Sequence, residues 1–198
     1  IQCTLNRLSL LDNISKIIVP INPDDLQAQT LSYTHPEKLQ FVAGGVERSD
    51  SVLAGLNIIR DRAQDDDWVL VHDVARPCVR LDDIQKLIET LSEDEVGGVL
   101  ANQVRDTIKQ SVEHSFRVSS SLTRNQLWQA LTPQMFRFGV LYQALNRAKK
   151  YKVSVTDESA AIEALGYQPL LVLGAYDNIK ITYPEDLALA DYLLRQQV

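Results

Sequence analysis

Five short apolar runs set the architecture this chain can adopt: KIIVPI (16–21), QFVAG (40–44), WVLVH (68–72), GGVLAN (97–102) and PLLVLG (169–174). Each is continuous rather than alternating, the pattern of a strand in a sheet covered on both faces. Between them lie segments of a different period. DSVLAGLNIIRDR (50–62) puts Val52, Leu56 and Ile59 on one stripe, and LDDIQKLIETL (81–91) does the same with Ile84, Leu87, Ile88 and Leu91. That spacing predicts amphipathic helices. Strand–helix–strand alternation implies right-handed crossovers and an α/β fold, with a mostly parallel sheet flanked by helices. The last helix opens in TYPEDLALADYLL (182–194), where Thr182 and Glu185 stand in capping-box relation and Pro184 suits a first turn. IQCTLNRLSLL reads as a helix without a preceding strand or cap, so further chain is expected before Ile1.

One segment breaks the rhythm. VRDTIKQSVEHSFRVSSSLTRNQLWQAL (104–131) has no helical period and is rich in Ser, Thr and Val. It predicts a hairpin-like β-arm, at about 104–123, protruding from the α/β body. Two strands alone are marginally stable, so the arm is expected to be covered, most simply by a second subunit.

Composition narrows the function. The 198 residues, 45% hydrophobic and 23% charged, suit a single domain with a full core. Twenty basic against 26 acidic residues give a net charge of −6 with no Lys/Arg block, which argues against nucleic-acid binding. Isolated basic residues in a cleft still suit small phosphates. Cys3 and Cys78 stand apart without a CxxC, His35, His72 and His114 are scattered, and no apolar run nears the roughly 20 residues of a membrane span. Reduced thiols in a cytoplasmic protein, with no zinc set and no membrane, are the expectation.

In an open parallel sheet, ligands sit beyond the carboxyl ends of the strands. WVLVHDVARP (68–77) delivers Asp73 to such an end, with Arg76 held between Ala75 and Pro77 in a compact turn; a surface Asp–Arg pair is the plainer alternative. GGVERSDSVLAGL (44–56) is a glycine turn leading from a strand into a helix, where backbone can approach a ligand closely. Ser49 reads as a helix cap; Ser51 either caps too or meets a base or ribose. TRNQLWQALTPQ contributes Arg124 and Thr132, VTDESAAI contributes Thr156 and Asp157, and DNIKITYPEDLALA contributes Asp177 and Lys180. Asp157 also suits a helix cap, and Lys180 a solvated face. No Ser–His–Asp or Cys–His set points to acyl transfer, so phosphate chemistry fits better.

Taken in order, GGxxRxxSVxxGL, VLVHDxARP, VRDTIK, TRNQLWxALTPQ, TDE and DNIKIT-PEDLALA resemble the 2-C-methyl-D-erythritol 4-phosphate cytidylyltransferases of the non-mevalonate isoprenoid route. The resemblance spans the chain and implies a Rossmann-like nucleotidyltransferase domain that dimerises through interlocked arms. It implies that CTP, with Mg²⁺, reacts with methylerythritol phosphate to give the CDP-alcohol and pyrophosphate. Arg124 and Lys180 would then hold the methylerythritol phosphate, with Thr107 and Thr156 as hydroxyl donors and Arg124 serving the neighbouring subunit. Gly45, Val46 and Ser51 would recognise cytosine, and Asp73, Val74 and Arg76 would line the junction of nucleotide and substrate. The metal's ligands are not implied.

Two polyanions must meet in such a reaction, so cations must neutralise them. The family's Gly-rich PAAGxGxRM–PKQ loop, which supplies an Arg and a Lys for the triphosphate, has no counterpart in residues 1–198 and is expected before Ile1. Val46 replaces a frequent acid, Val74 a frequent Ala, and Ala175–Tyr176 a frequent basic position. Two alternatives share part of the pattern: a cytidylyltransferase for ribitol or another pentitol phosphate, and a relative that binds CTP without transfer. The full DNIKIT-PEDLALA and TRNQLW set favours methylerythritol phosphate.

Overall fold

A computed structural model of the chain describes residues 1–197. The elements follow in the order α1 (Gln2–Ser9), β1 (Ile17–Ile21), β2 (Leu39–Ala43), α2 (Arg48–Ile59), β3 (Trp68–Val71), α3 (Leu81–Leu91), β4 (Gly97–Gln103), β5 (Lys109–Ser111), β6 (Val118–Ser121), β7 (Trp128–Arg137), α4 (Phe138–Tyr151), α5 (Glu158–Glu163), β8 (Leu170–Leu173) and α6 (Asp186–Gln196). Strands β1 and β2 form a parallel pair, and the main sheet runs β3-β7-β4-β8.

Within the main sheet β3, β4 and β8 share one direction, because β4 and β8 pair in parallel while β7 lies antiparallel to both β3 and β4. The sheet is therefore mixed, with one reversed strand among three aligned ones. That strand begins inside the segment expected to be excursion. Residues 128–131 leave the arm and enter the sheet, so the excursion is shorter than its aperiodic composition implies.

The continuous apolar run of β4 is explained by its two faces. Val99 and Ala101 join Leu53 and Leu56 of α2, Leu141 and Leu145 of α4 and Ile162 of α5 in one core cluster. Leu100, between them, packs with Leu87 and Leu91 of α3, Met135 of β7 and Val172 of β8 in another. Helices cover both faces, as expected. β8 departs from that rule: it is an edge strand on which only Val172 is buried, while Leu170, Leu171 and Leu173 are exposed. An apolar run reports β propensity but not whether a strand has neighbours on both sides.

The helix starts also differ from expectation. α6 begins at Asp186, and the carboxylate of Asp186 accepts hydrogen bonds from the N–H groups of Thr182 (2.8 Å) and Tyr183 (2.9 Å). The Thr182–Glu185 capping box is therefore not formed; the acceptor lies one residue further on. β5 and β6 form the expected antiparallel hairpin, exposed throughout, with Phe116 fully exposed at its tip.

Candidate functional site

Strand β3 ends at Val71, and the chain carries His72 and Asp73 out of the sheet. Thr132 of β7 meets both. The Asp73 N–H donates to Thr132 Oγ1 at 3.0 Å, and that hydroxyl lies 2.9 Å from His72 Nδ1. His72 Nε2 is 3.1 Å from the carbonyl of Arg76. A carbonyl only accepts, so Nε2 carries the proton and the Thr132 hydroxyl donates to Nδ1. Burial pushes His72 down to about 4, which keeps the ring neutral at pH 7 and this tautomer in place.

The segment carrying Lys180 is fastened to the same strand end. Asn178, almost fully buried, donates to the Thr132 carbonyl at 2.8 Å, and Arg76 donates to the Asn178 carbonyl at 2.8 Å. The Ile181 N–H donates to Ala75 at 2.8 Å. These bonds lay residues 178–181 beside the turn after β3 and place Lys180 Nζ 3.0 Å from Asp73 Oδ2. Arg76 Nε approaches the same oxygen at 3.7 Å.

The other carboxylate oxygen of Asp73 is taken by Arg48, whose Nε lies 2.9 Å from Oδ1. The two terminal nitrogens of Arg48 form a fork on Glu158, at 2.5 and 2.9 Å. Arg48 is the first residue of α2 and Glu158 the first of α5, so two helix starts converge on the carboxyl end of β3. The side chains of Asp73 and Glu158 are only 12% and 1% exposed. Burial works against ionisation of Asp73, but Arg48 and Lys180 outweigh it and hold the carboxyl below its usual range. For Arg48, too, burial opposes the charge, and the fork on Glu158 overcomes it and raises the pKa. Three cations face two carboxylates here, leaving the cluster one positive charge in excess.

The glycine turn sits where α2 begins. The Gly45 N–H donates to Ser51 Oγ at 3.0 Å, and that hydroxyl donates to the Glu47 carbonyl at 3.3 Å. A Cβ on Gly45 would lie 2.2 Å from that of Asp50, so the turn tolerates no side chain there. Ser51 shapes this loop. Ser49 is not a cap: it lies inside the first turn of α2, whose N-cap is Glu47, with no side-chain cap bond. Asp157 caps α5 as expected, accepting from the Ala160 N–H at 2.9 Å.

Of the residues singled out in the sequence, Asp73, Arg76 and Lys180 come together. Val46 and Val74 are exposed, and Val74 is tied to α1 through a 2.6 Å hydrogen bond from Thr4 to its carbonyl. Thr156 is exposed just before the α5 cap, and Thr107 is exposed at the start of the arm. Arg124 lies in the 3-10 turn after the arm, with its guanidinium on the carbonyl of Arg105. Among the described residues Arg124 and Lys180 have separate partners, the Arg105 carbonyl and Asp73. Arg48, Glu158 and Asn178 join the site without standing out in the sequence, although all three lie within the motifs: the R of GGxxRxxSV, the E of TDE and the N of DNIKIT.

Among the described residues no helix is long and apolar enough to cross a membrane, and no three His, Cys, Asp or Glu side chains are gathered as a metal set. Arg and Lys side chains gathered around one carboxylate at the carboxyl end of a strand, in an α/β fold, form the class of arrangement that handles phosphorylated ligands. The family is specific. The model of IspD, 2-C-methyl-D-erythritol 4-phosphate cytidylyltransferase, matches residues 1–196, and the chain belongs to that family. It is 42% identical over 196 residues to the cytidylyltransferase of that name from Aliivibrio fischeri, covering 99% of this chain and 82% of that protein. Its identity to the Hahella chejuensis protein of the same name is 46% over 196 residues, covering 99% and 81%. The crystal structure of the Francisella tularensis enzyme superposes with a TM-score of 0.85 at 36% identity, covering 96% of this chain and 86% of that one.

Proposed function

We infer that this chain transfers the cytidylyl group of CTP to 2-C-methyl-D-erythritol 4-phosphate, releasing pyrophosphate, as a step of isoprenoid precursor synthesis. Family membership names the reaction, and the observation that supports its placement is the Asp73–Arg76–Lys180 cluster at the carboxyl end of β3. A phosphate oxygen of methylerythritol phosphate attacks the α-phosphorus of CTP. A new P–O bond forms, the bond to the β-phosphate oxygen breaks, and pyrophosphate leaves. Lys180 and Arg76 supply positive charge where the two anions meet, which is what such a transfer needs most.

Methylerythritol phosphate competes with Asp73 for Lys180, whose side chain is half-exposed. Thr156 supplies a hydroxyl, and Arg124 with Thr107 serves the site of a second subunit through the arm. The exposed Val112, Phe116, Val118 and Leu122 favour burial of that arm in a homodimer. Gly45, Val46 and Ser51 hold the cytosine, chiefly through backbone groups, and Val74 borders the nucleotide. Residues 1–198 belong to one nucleotidyltransferase domain. Free Cys3 and Cys78 suit a reduced, cytoplasmic compartment.

Mg²⁺ finds no built protein site among the described residues: both oxygens of Asp73 are taken by Arg48, Lys180 and Arg76, and no three His, Cys, Asp or Glu side chains gather. The ion would arrive with CTP, held by substrate phosphates and water. When bound, it neutralises phosphate charge. A coupled pyrophosphate assay with CTP tests the reading: turnover is expected with methylerythritol phosphate, and faster turnover with ribitol 5-phosphate would overturn it.

A further inference from the structure

Arg48 and Glu158 form the most deeply anchored ion pair at the site, and the reaction as described uses neither. The geometry points to a positioning role: we propose that Glu158 locks the guanidinium of Arg48 so that Arg48 fixes the carboxylate of Asp73 in the orientation that transfer requires. The inference rests on the reading of Asp73 given above.

The hydrogen-bond pattern carries it. Arg48 commits both terminal nitrogens to Glu158 and turns its remaining nitrogen, Nε, to Asp73 Oδ1. A planar guanidinium held at two points cannot rotate, so the direction of the third bond is set. Asp73 Oδ2 is left for Lys180 and Arg76. When a substrate phosphate draws Lys180 away, Arg48 still holds the carboxylate.

Glu158 is itself fixed from both sides. Gln134 of β7, almost fully buried, donates to Asp157 Oδ2 at 2.8 Å and accepts from the Ser159 N–H at 2.9 Å. The residues on either side of Glu158 are thus bolted to the central sheet, and from the backbone they fix, hydrogen bonds run from Glu158 through Arg48 to Asp73. Stability alone is a poor reason for this arrangement, since well-packed apolar residues commonly replace a buried ion pair without loss. A lysine at position 48 would keep the charge but offer no fork to hold two carboxylates in a plane.

The test is a double-mutant cycle on the purified enzyme, with kcat and both KM values from pyrophosphate release and with melting temperatures recorded for every variant. Arg48→Lys and Glu158→Gln are each expected to lower kcat about tenfold while the KM for CTP moves less than about threefold. In an Asp73→Asn background the same substitutions should lower kcat by less than about twofold, because the group they position is gone. Losses that simply multiply in that background would overturn the proposal, as would an unchanged kcat in both single variants. If Arg48→Lys does not fold, Glu158→Gln, which leaves the volume of the side chain unchanged, decides by itself. Full activity of Asp73→Asn would instead remove the reading of Asp73, a different failure read from a different variant.

Discussion

The end of β3 and the β5–β6 arm lie on one chain and are held by opposite means. Asp73 is fixed by side chains from α2 and from the 178–181 segment, with Thr132 of β7 behind it. The arm makes its ladder with itself and presents Val112, Phe116 and Val118 to solvent. Charge in the first region is buried and paired; in the second, apolar surface is unpaired. The difference shows where each part obtains its order. The site draws on the fold of this chain, whereas the arm lacks enough core to be rigid alone.

The largest effect should follow from breaking the buried pair. Arg48→Ala strands the carboxylate of Glu158 and removes one partner of Asp73, and is expected to destabilise the protein by about 3 kcal/mol, measured by urea unfolding. A change below 1 kcal/mol, on the scale of an exposed pair, would erase the contrast with the surface.

His72 sharpens the comparison next. Its folded pKa of about 4 lies below the ordinary 6.5, so the unfolded chain takes up a proton first as the pH falls. The stability this neutral ring contributes is complete above pH 6.5 and is lost as the pH drops toward 4. Between pH 6.5 and 5 the loss should be about 2 kcal/mol. His72→Asn should flatten that slope, which paired urea curves at the two pH values will show.

The site's reliance on the sheet can be tested through Gln134. Gln134→Leu preserves bulk but strips Asp157 and the Ser159 N–H of their partner, and is expected to cost roughly 1–3 kcal/mol. An unchanged urea midpoint would mean that α5 needs no tie to β7.

The smallest stability effect belongs to the arm. Phe116→Ser removes a fully exposed ring and should change the urea midpoint of the isolated chain by less than about 0.5 kcal/mol. Light scattering, in contrast, should show weakened self-association if the proposed dimer buries this exposed ring. A monomeric parent protein would break the comparison at its other end.

Local periods were legible without the structure. The stripe through Ile84, Leu87 and Leu91 defined α3 at Leu81–Leu91, and each of the five apolar runs became a strand within a residue or two. Asp73 stood out because it ends such a run, and Arg76 and Lys180 because their motifs are distinctive; the fold brings the three together. Three features were not legible. β7 alternates too little to stand out from the aperiodic segment before it. β8 carries an ordinary apolar run, yet lies at a sheet edge. The Ser49 cap and the Thr182–Glu185 box were both displaced by the actual helix starts.

What the sequence determined by itself, then, was five of the strands, the helices with a clear stripe and the kind of chemistry, because strand propensity, helical stripes and turn residues act over a few neighbours. The tertiary structure decided which charges meet. Arg48 and Glu158 stand 110 residues apart, and nothing in either local segment favours one partner over another acid or base. Their pairing required α2 and α5 to start at the same end of the sheet, with β7 reversed between β3 and β4 to carry Thr132 and Gln134 there. A carboxylate and a guanidinium recognise each other only over a few ångströms, and closure of the whole fold is what brings them that near.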